Sequence, residues 1–332
     1  MLLPHTYVAA LLLMLVSMLC WGSWANTLKL CPGFRFQLFY WDYAIGVAVG
    51  AVILGLTAGS HGASGPVFLA DMAMAPRQGI WLAIAGGAVF NVANLLLVAA
   101  IDVAGLAVAF PVGIGLALVV GSVWSYVVNP KANVILLFGG VALVVVAIVL
   151  DAAAYRKRES EAKAATTRGI VLSLVAGVLM GSFYPLVAKA MQPVFGDPGP
   201  GPYATAMFFA VGVLLSTIPA NLLLMAKPLD GKPPVRGSEY WAGLSRWHFA
   251  GMLGGAVWCA GAVTNFVASG AHQVGPAVSY AIGQGATMIS AAWGVFIWHE
   301  FAGAPPAARR LLALMFLFFV VGLSAVALAP LY

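Results

Sequence analysis

The chain has 332 residues, of which 62% are hydrophobic and 8% charged, with a formal net charge of +6 and a mean hydropathy of +0.99. Soluble domains carry roughly 25% charged residues, so a water-soluble fold is excluded. The basic balance does not point to nucleic acid, because the cations fall between apolar runs and not along one polar face. Cys20, Cys31 and Cys259 form no CxxC pair, which argues against a disulfide framework or a zinc centre, and no metal is expected.

Runs of about 20 apolar residues span a bilayer. Ten are predicted, at 5–26, 41–59, 79–101, 105–128, 132–153, 168–190, 203–225, 247–270, 275–298 and 307–329. The first is expected to be a retained helix, since it lacks a basic n-region and a small-residue cleavage pattern and runs on into WGSWAN. The second is followed by HGASGPVFLADMAMAPRQG, a long loop expected to be partly re-entrant. Lys and Arg mark cytoplasmic loops. Of the 16 Lys and Arg, all but Arg77, Lys131 and Lys189 follow odd-numbered spans. Those loops are therefore expected in the cytoplasm, with both termini outside and the chain in the cell's inner (plasma) membrane. The stretch YRKRESEAKAATTR reads as a solvated tether at 154–167 between a five-helix half at 1–153 and another at 168–332.

An odd number of spans per half inverts the second half relative to the first. Sequence echoes support a duplication. GGAVF at 86–90 returns as GGAVW at 254–258, an offset of 168. Gly113-Ile114-Gly115 returns as Gly283-Gln284-Gly285, offset 170, and Gly22-Ser23-Trp24 as Gly181-Ser182-Phe183, offset 159. Inverted repeats with a site at their interface are a recurrent plan of secondary transporters. The expected fold is an all-α integral membrane protein of ten transmembrane helices in two inverted repeats.

Polar and aromatic residues at membrane depth outline a substrate site. The first span offers Ser17, Trp21 and Trp24, and the third Phe90, Asn91 and Asn94. The fourth offers Pro111, whose ring frees a backbone carbonyl. The eighth offers Trp258 and Asn265, seven apart on one face, and the ninth Tyr280, Gln284 and Thr287 at i, i+4 and i+7. Aromatic walls with a few amides and hydroxyls suit a small uncharged polar solute. The alternative for each amide is a bond to a neighbouring helix. The repeat offsets place no amide opposite Asn91, Asn94 or Gln284, so a structural need shared by both halves does not explain them. Trp41, Trp81, Trp124, Trp247 and Trp298 near span ends are expected as interfacial anchors. Asp42 and Glu300 lie at span ends, where a desolvated carboxylate can exchange protons with a transport cycle. The alternative there is a solvated carboxylate paired with a basic neighbour.

There is no GxxxxGK[ST], HExxH or GxSxG motif. No enzyme activity, catalytic residue or cofactor is expected, and transport would be driven by a gradient. CWGSW in the first span, WDY opening the second and the ANL after GGAVF resemble the drug/metabolite transporter superfamily. Within it, the chain resembles the ureide permease branch, related to the glucose/ribose porters and the L-rhamnose–proton symporter. The plant members of that branch have a larger central loop and a segment 4 pattern that differs from AFPVGIG. The resemblance implies a cavity lined by spans 1, 3 and 4 and their mates 6, 8 and 9.

The resulting expectation is a proton-coupled (or other cation-coupled) permease embedded in membrane lipid. Its substrate is a small uncharged metabolite, a ureide or nucleobase-like ring first and a monosaccharide second, moved by alternating access. The rivals are an exporter of amphipathic compounds or drugs, and a non-transporting sensor or assembly subunit.

Overall fold

The computed structural model describes residues 1–332 other than 63, 159–165, 193–197, 230 and 272, and side chains other than those of 106 and 107. Half of the expected tether at 154–167, including Lys163, therefore lies outside the described residues. All regular structure among the described residues is helical.

In chain order the helices are α1 (Tyr7–Ser23), α2 (Asn26–Lys29), α3 (Phe36–Leu56), α4 (Phe68–Met74), α5 (Arg77–Ala104), α6 (Leu106–Val128) and α7 (Val134–Arg158). They continue with α8 (Thr167–Ala190), α9 (Pro202–Ala226), α10 (Ser238–Trp241), α11 (Ser245–Ser269), α12 (Pro276–Gly283), α13 (Ala286–Ala292) and α14 (Pro306–Leu328). Nine stretches among the described residues are long and apolar enough to cross a membrane. The predicted span at 275–298 is instead broken. Its first piece, α12, ends at Gly283, Gln284 caps it, and α13 then passes into a π-helical turn at Trp293–Ile297. Interrupted helices at membrane depth are tolerated where their freed backbone groups face protein or a cavity. The loop after α3 carries the short helix α4, whose Asp71 accepts the Gly201 amide through both carboxylate oxygens (3.1 and 2.9 Å) and so supports the start of α9.

Local chemistry sets the ends. Thr6 caps α1 by accepting from the Ala9 amide, and Thr166 caps α8 by accepting from Gly169. One residue, Gly105 at φ 79°, joins α5 to α6. Gly275 at φ 76° opens α12 in the same way. A left-handed backbone at such a turn favours glycine.

Without a hydrophobic force between helices in lipid, association rests on close packing and interhelical hydrogen bonds. α5 packs on α8 and α9, α11 on α3 and α1, α6 on α8, and α14 on α7. At the α5–α9 crossing, Gly87 lies against the Phe209 carbonyl and Gly212 against that of Ile84. At the α3–α11 crossing, Gly255 lies against the Tyr43 carbonyl and Gly46 against that of Met252. No side chain fits at any of the four. One buried cluster fills the middle of the bundle around Tyr40, Phe90, Phe183, Phe209 and Trp258, and a second lies along α7 and α14.

The anchors divide. Trp81 and Trp124 project outward, 68% and 44% exposed. Trp298 turns inward and donates to Asn26 Oδ1 (2.6 Å), Trp41 donates to Met225 Sδ (3.4 Å), and Trp247 packs on Phe34 with ring centres 5.5 Å apart.

Candidate functional site

The aromatic residues singled out in α1, α5 and α11 converge. Phe90 stacks on Trp258 (4.2 Å, 29°), and Trp21 stacks beyond it on Trp258 (5.9 Å, 18°). The Trp21 indole donates to the Trp258 carbonyl (3.2 Å). Phe209 of α9 lies nearly parallel to Trp258 at 5.6 Å and 14°. Phe183 of α8 continues the stack to Phe90 at 5.3 Å and to Tyr280 at 6.2 Å. Trp24 joins from the other side through Tyr43 (4.7 Å), which stacks on Tyr40 (5.0 Å). Phe90 and Trp258 are both buried and come from α5 and α11, far apart in the chain.

Two polar networks flank it. On one side the Tyr40 hydroxyl donates to Asn91 Oδ1 (2.9 Å) and accepts from Asn94 Nδ2 (3.1 Å). Asn91 also donates to Ser216 Oγ (2.9 Å) and accepts from Thr217 Oγ1 (3.3 Å), both on α9. On the other side Asn265 Oδ1 accepts from Tyr184 and from Ser279 Oγ (3.0 Å). Its Nδ2 donates to Ser17 Oγ and the Ser279 carbonyl, each at 3.0 Å. Asn91 and Asn265 thus have both amide ends occupied by protein, as the interhelical alternative requires.

Other polar groups are uncommitted. Asn94 Oδ1 and the whole Gln284 carboxamide, both buried, meet no hydrogen-bond partner among the described residues. The fully buried Tyr43 hydroxyl also has none. A fully buried polar atom left unpaired costs about 1–3 kcal/mol, a penalty that applies here to the Tyr43 hydroxyl. Gln284 follows Gly283, which sits against the Trp21 ring, at the break between α12 and α13.

The remaining expected residues divide by role. Tyr280 donates to the Ala117 carbonyl (3.1 Å) and ties α12 to α6, while Thr287 Oγ1 donates to the Gln284 carbonyl (3.1 Å) at the break. Pro111 lies half-buried in the second turn of α6. Tyr40, Tyr43, Tyr184, Phe183, Phe209, Ser216 and Thr217 were not singled out by the sequence reading. The i, i+3 spacing of Tyr40 and Tyr43 was the available signal. Ser216 and Thr217, side by side in an apolar span, were another.

Asp42 and Glu300 are engaged at the end of the bundle that carries most of the cations. Asp42 accepts from the Tyr240 hydroxyl (2.6 Å) and pairs with His248 Nδ1 (2.7 Å), joining α3 to α10 and α11. Glu300 accepts from Lys29, from Tyr155 (3.0 Å) and from Arg158 (3.4 Å). Burial pushes the Glu300 carboxyl up, but the Lys29 and Tyr155 hydrogen bonds and the Lys29 and Arg158 charges outweigh it and hold it below the usual range. A depressed carboxyl stabilises the fold above its unfolded pKa, near 4.5, and loses that contribution as pH falls through the lower folded value. Acidification through this window is therefore expected to raise amide exchange of the loop at 298–305. Lys29→Met should do so at neutral pH, by no more than about 1 kcal/mol for a partly exposed pair. Unchanged exchange in both cases contradicts this role.

Residues 39–168 match the family model for ureide permeases. Ureide permease 1 of Arabidopsis thaliana is 22% identical over 95% of each chain. Ureide permease 2 of the same plant is 24% identical over 96% of this chain and 95% of its own length. This chain is similar to the ureide permeases. Ureide permease 4 of Arabidopsis thaliana is 28% identical over 45% of this chain and 39% of that one. A protein crystal structure aligns at a TM-score of 0.65 and 15% identity, covering 95% of this chain and 96% of that one, which supports the fold alone. Like these relatives, which are transport proteins and not enzymes, the chain is a multi-pass membrane protein.

Proposed function

We propose that this protein is a proton-coupled secondary transporter of a small uncharged polar ring, a ureide or nucleobase-like compound before a monosaccharide. The observation that carries this reading is the composition of the centre. A ring stack contributed by both halves lies beside the uncommitted Tyr43 hydroxyl, Asn94 Oδ1 and Gln284 amide. Asp42, the carboxylate next to Tyr43, is occupied by Tyr240 and His248. Flat faces plus neutral donors and acceptors match the –NH–CO–NH– pattern of a ureide. The similarity to proteins named ureide permeases supports the same class.

The broken α12–α13 segment counts as the tenth span in this reading, and the halves are inverted repeats. Several contacts support that relation. Gly105 and Gly275, 170 apart, share one backbone conformation. The contacts of Gly87 with Phe209 and of Gly255 with Tyr43 interchange under offsets of 168 and 166, as do those of Gly212 with Ile84 and Gly46 with Met252. Gly22 meets the Ala286 carbonyl as Gly181 meets that of Ala117. Phe90 and Trp258 are repeat mates that stack on each other, so the axis relating the halves would pass through the site. Rocking about this contact would open each side in turn. The Asp42–His248 and Lys29–Glu300 contacts link the halves at the basic end, which this reading assigns to the cytoplasm, and would hold that side shut.

The test is ligand-dependent stability of the purified protein in detergent. A ligand at 100 times its Kd stabilises the native state by about 2.7 kcal/mol. Allantoin or uracil should raise the unfolding midpoint while glucose, ribose and rhamnose do not. Stabilisation only by a sugar moves the substrate to that class. Stabilisation only by lipophilic amines overturns the reading in favour of an exporter.

A further inference from the structure

We infer that Asp151 is a proton-binding site, occupied by a proton in this conformation, and that it rather than Asp42 or Glu300 carries the coupled proton. The coupling half of this inference rests on the transport reading above. Asp151 lies inside α7, within two turns of the basic residues that end this apolar helix, and is 6% exposed. Its Oδ1 is fully buried and has no hydrogen-bond partner among the described residues. Asp42 and Glu300, in contrast, are satisfied by cationic or hydroxyl donors. An ionised carboxylate with a bare oxygen in low dielectric is far costlier than a neutral acid, so the group neutralises.

Among the described residues, the surroundings offer no compensating cation at that depth. The charged or titratable groups on its own face are Tyr155 and Arg158, one and two turns nearer the basic end, and both bond to Glu300. Glu300 is the other acid facing this region. α6, packed alongside, contains no Asp, Glu, Lys, Arg or His. α14 carries only Arg309 and Arg310, in its first turns, and Arg309 is turned to the Ala304 carbonyl (3.2 Å). Asp151 therefore sits one turn beneath a cap formed by Tyr155, Glu300, Arg158 and Lys29. Release of Glu300 from that cap admits water, and the proton leaves to solvent as hydronium. When the protein closes there and opens to the opposite face, hydronium from that side gives its proton to the carboxylate and leaves as water. A conformational change that alternates the proton affinity of one group links the pH gradient to the transport cycle.

The decisive experiment is infrared difference spectroscopy of the full-length protein across a pH titration, paired with transport in proteoliposomes. Asn is nearly isosteric with the neutral acid, so Asp151→Asn should fold. The wild type should show, at neutral pH, the deuterium-sensitive carbonyl stretch of a protonated carboxylic acid. That band should vanish in Asp151→Asn and persist in Asp42→Asn. Asp151→Asn should keep substrate counterflow but lose all stimulation by an inward proton gradient. Absence of the band, its persistence in Asp151→Asn, or full gradient stimulation in that variant overturns the inference. If the wild type moves none of the proposed solutes while the band still depends on Asp151, the proton site stands and the transport reading falls.

Discussion

Replacing Gln284 or Asn94 by leucine should abolish high-affinity uptake of a polar ring while leaving a folded, monodisperse protein. Among the described residues the Gln284 carboxamide bonds no other helix, and Asn94 gives only its Nδ2 bond to Tyr40, whose hydroxyl keeps Asn91. Their loss should therefore remove less structure than the loss of Asn91 or Asn265. A substrate group left unpaired in a desolvated site loses about 1–3 kcal/mol, or roughly 5–150-fold in affinity. Leucine at Asn91 or Asn265 should do the reverse. It strands Ser216 and Tyr40 in one network, or Tyr184, Ser17 and Ser279 in the other, and so lowers thermal stability. Equilibrium binding and thermal unfolding of the four variants separate the two outcomes. If Gln284→Leu binds a ureide as tightly as the wild type, the amide has no role in recognition. An exporter of lipophilic compounds would tolerate both substitutions.

Gly87→Leu and Gly255→Leu should each prevent the bundle from assembling. A Cβ at either position meets a backbone carbonyl, of Phe209 or of Tyr43, which cannot swing aside as a side chain end would. Overpacking a core costs about 1–3 kcal/mol even where side chains can adjust, and here the helices themselves must separate. The two variants should fail alike, because each glycine lies equally close to a carbonyl of the facing helix. Gly115→Leu is the control: no atom lies within 4 Å of its ideal Cβ, and it should be tolerated. The measurement is the yield of monodisperse protein and its unfolding temperature. A stable Gly87→Leu protein, or a sharp difference between the two crossings, contradicts the interchange of contacts.

Much of this was legible in the sequence because membrane chemistry narrows the choices. Apolar run length located the spans, and the GGAV echo at 86–90 and 254–258 pointed to two crossings that the structure packs alike. Trp21, Phe90 and Trp258 were found from aromatic placement and do come together. Apolar run length did not disclose the break at Gln284, because a window spanning both pieces averages over Gly283-Gln284-Gly285. The distinction between committed and free amides was also hidden. Asn91 and Asn94 are three residues apart on one helix, but only Asn91 meets Ser216 and Thr217 on α9, and that crossing depends on Gly87 and Gly212. Asp151 lies near the end of the predicted span at 132–153. Its bare oxygen depends on what α6 and α14 do not supply, which no local pattern in α7 reveals.

Accumulation of labelled allantoin, uracil, glucose, ribose and rhamnose in proteoliposomes, with and without an inward proton gradient, addresses substrate and driving force together. The proposed reading predicts gradient-stimulated accumulation of a ureide or nucleobase-like ring by the wild type and its loss in Gln284→Leu. Failure to accumulate any of the five, with lipophilic dyes moving instead, would contradict it.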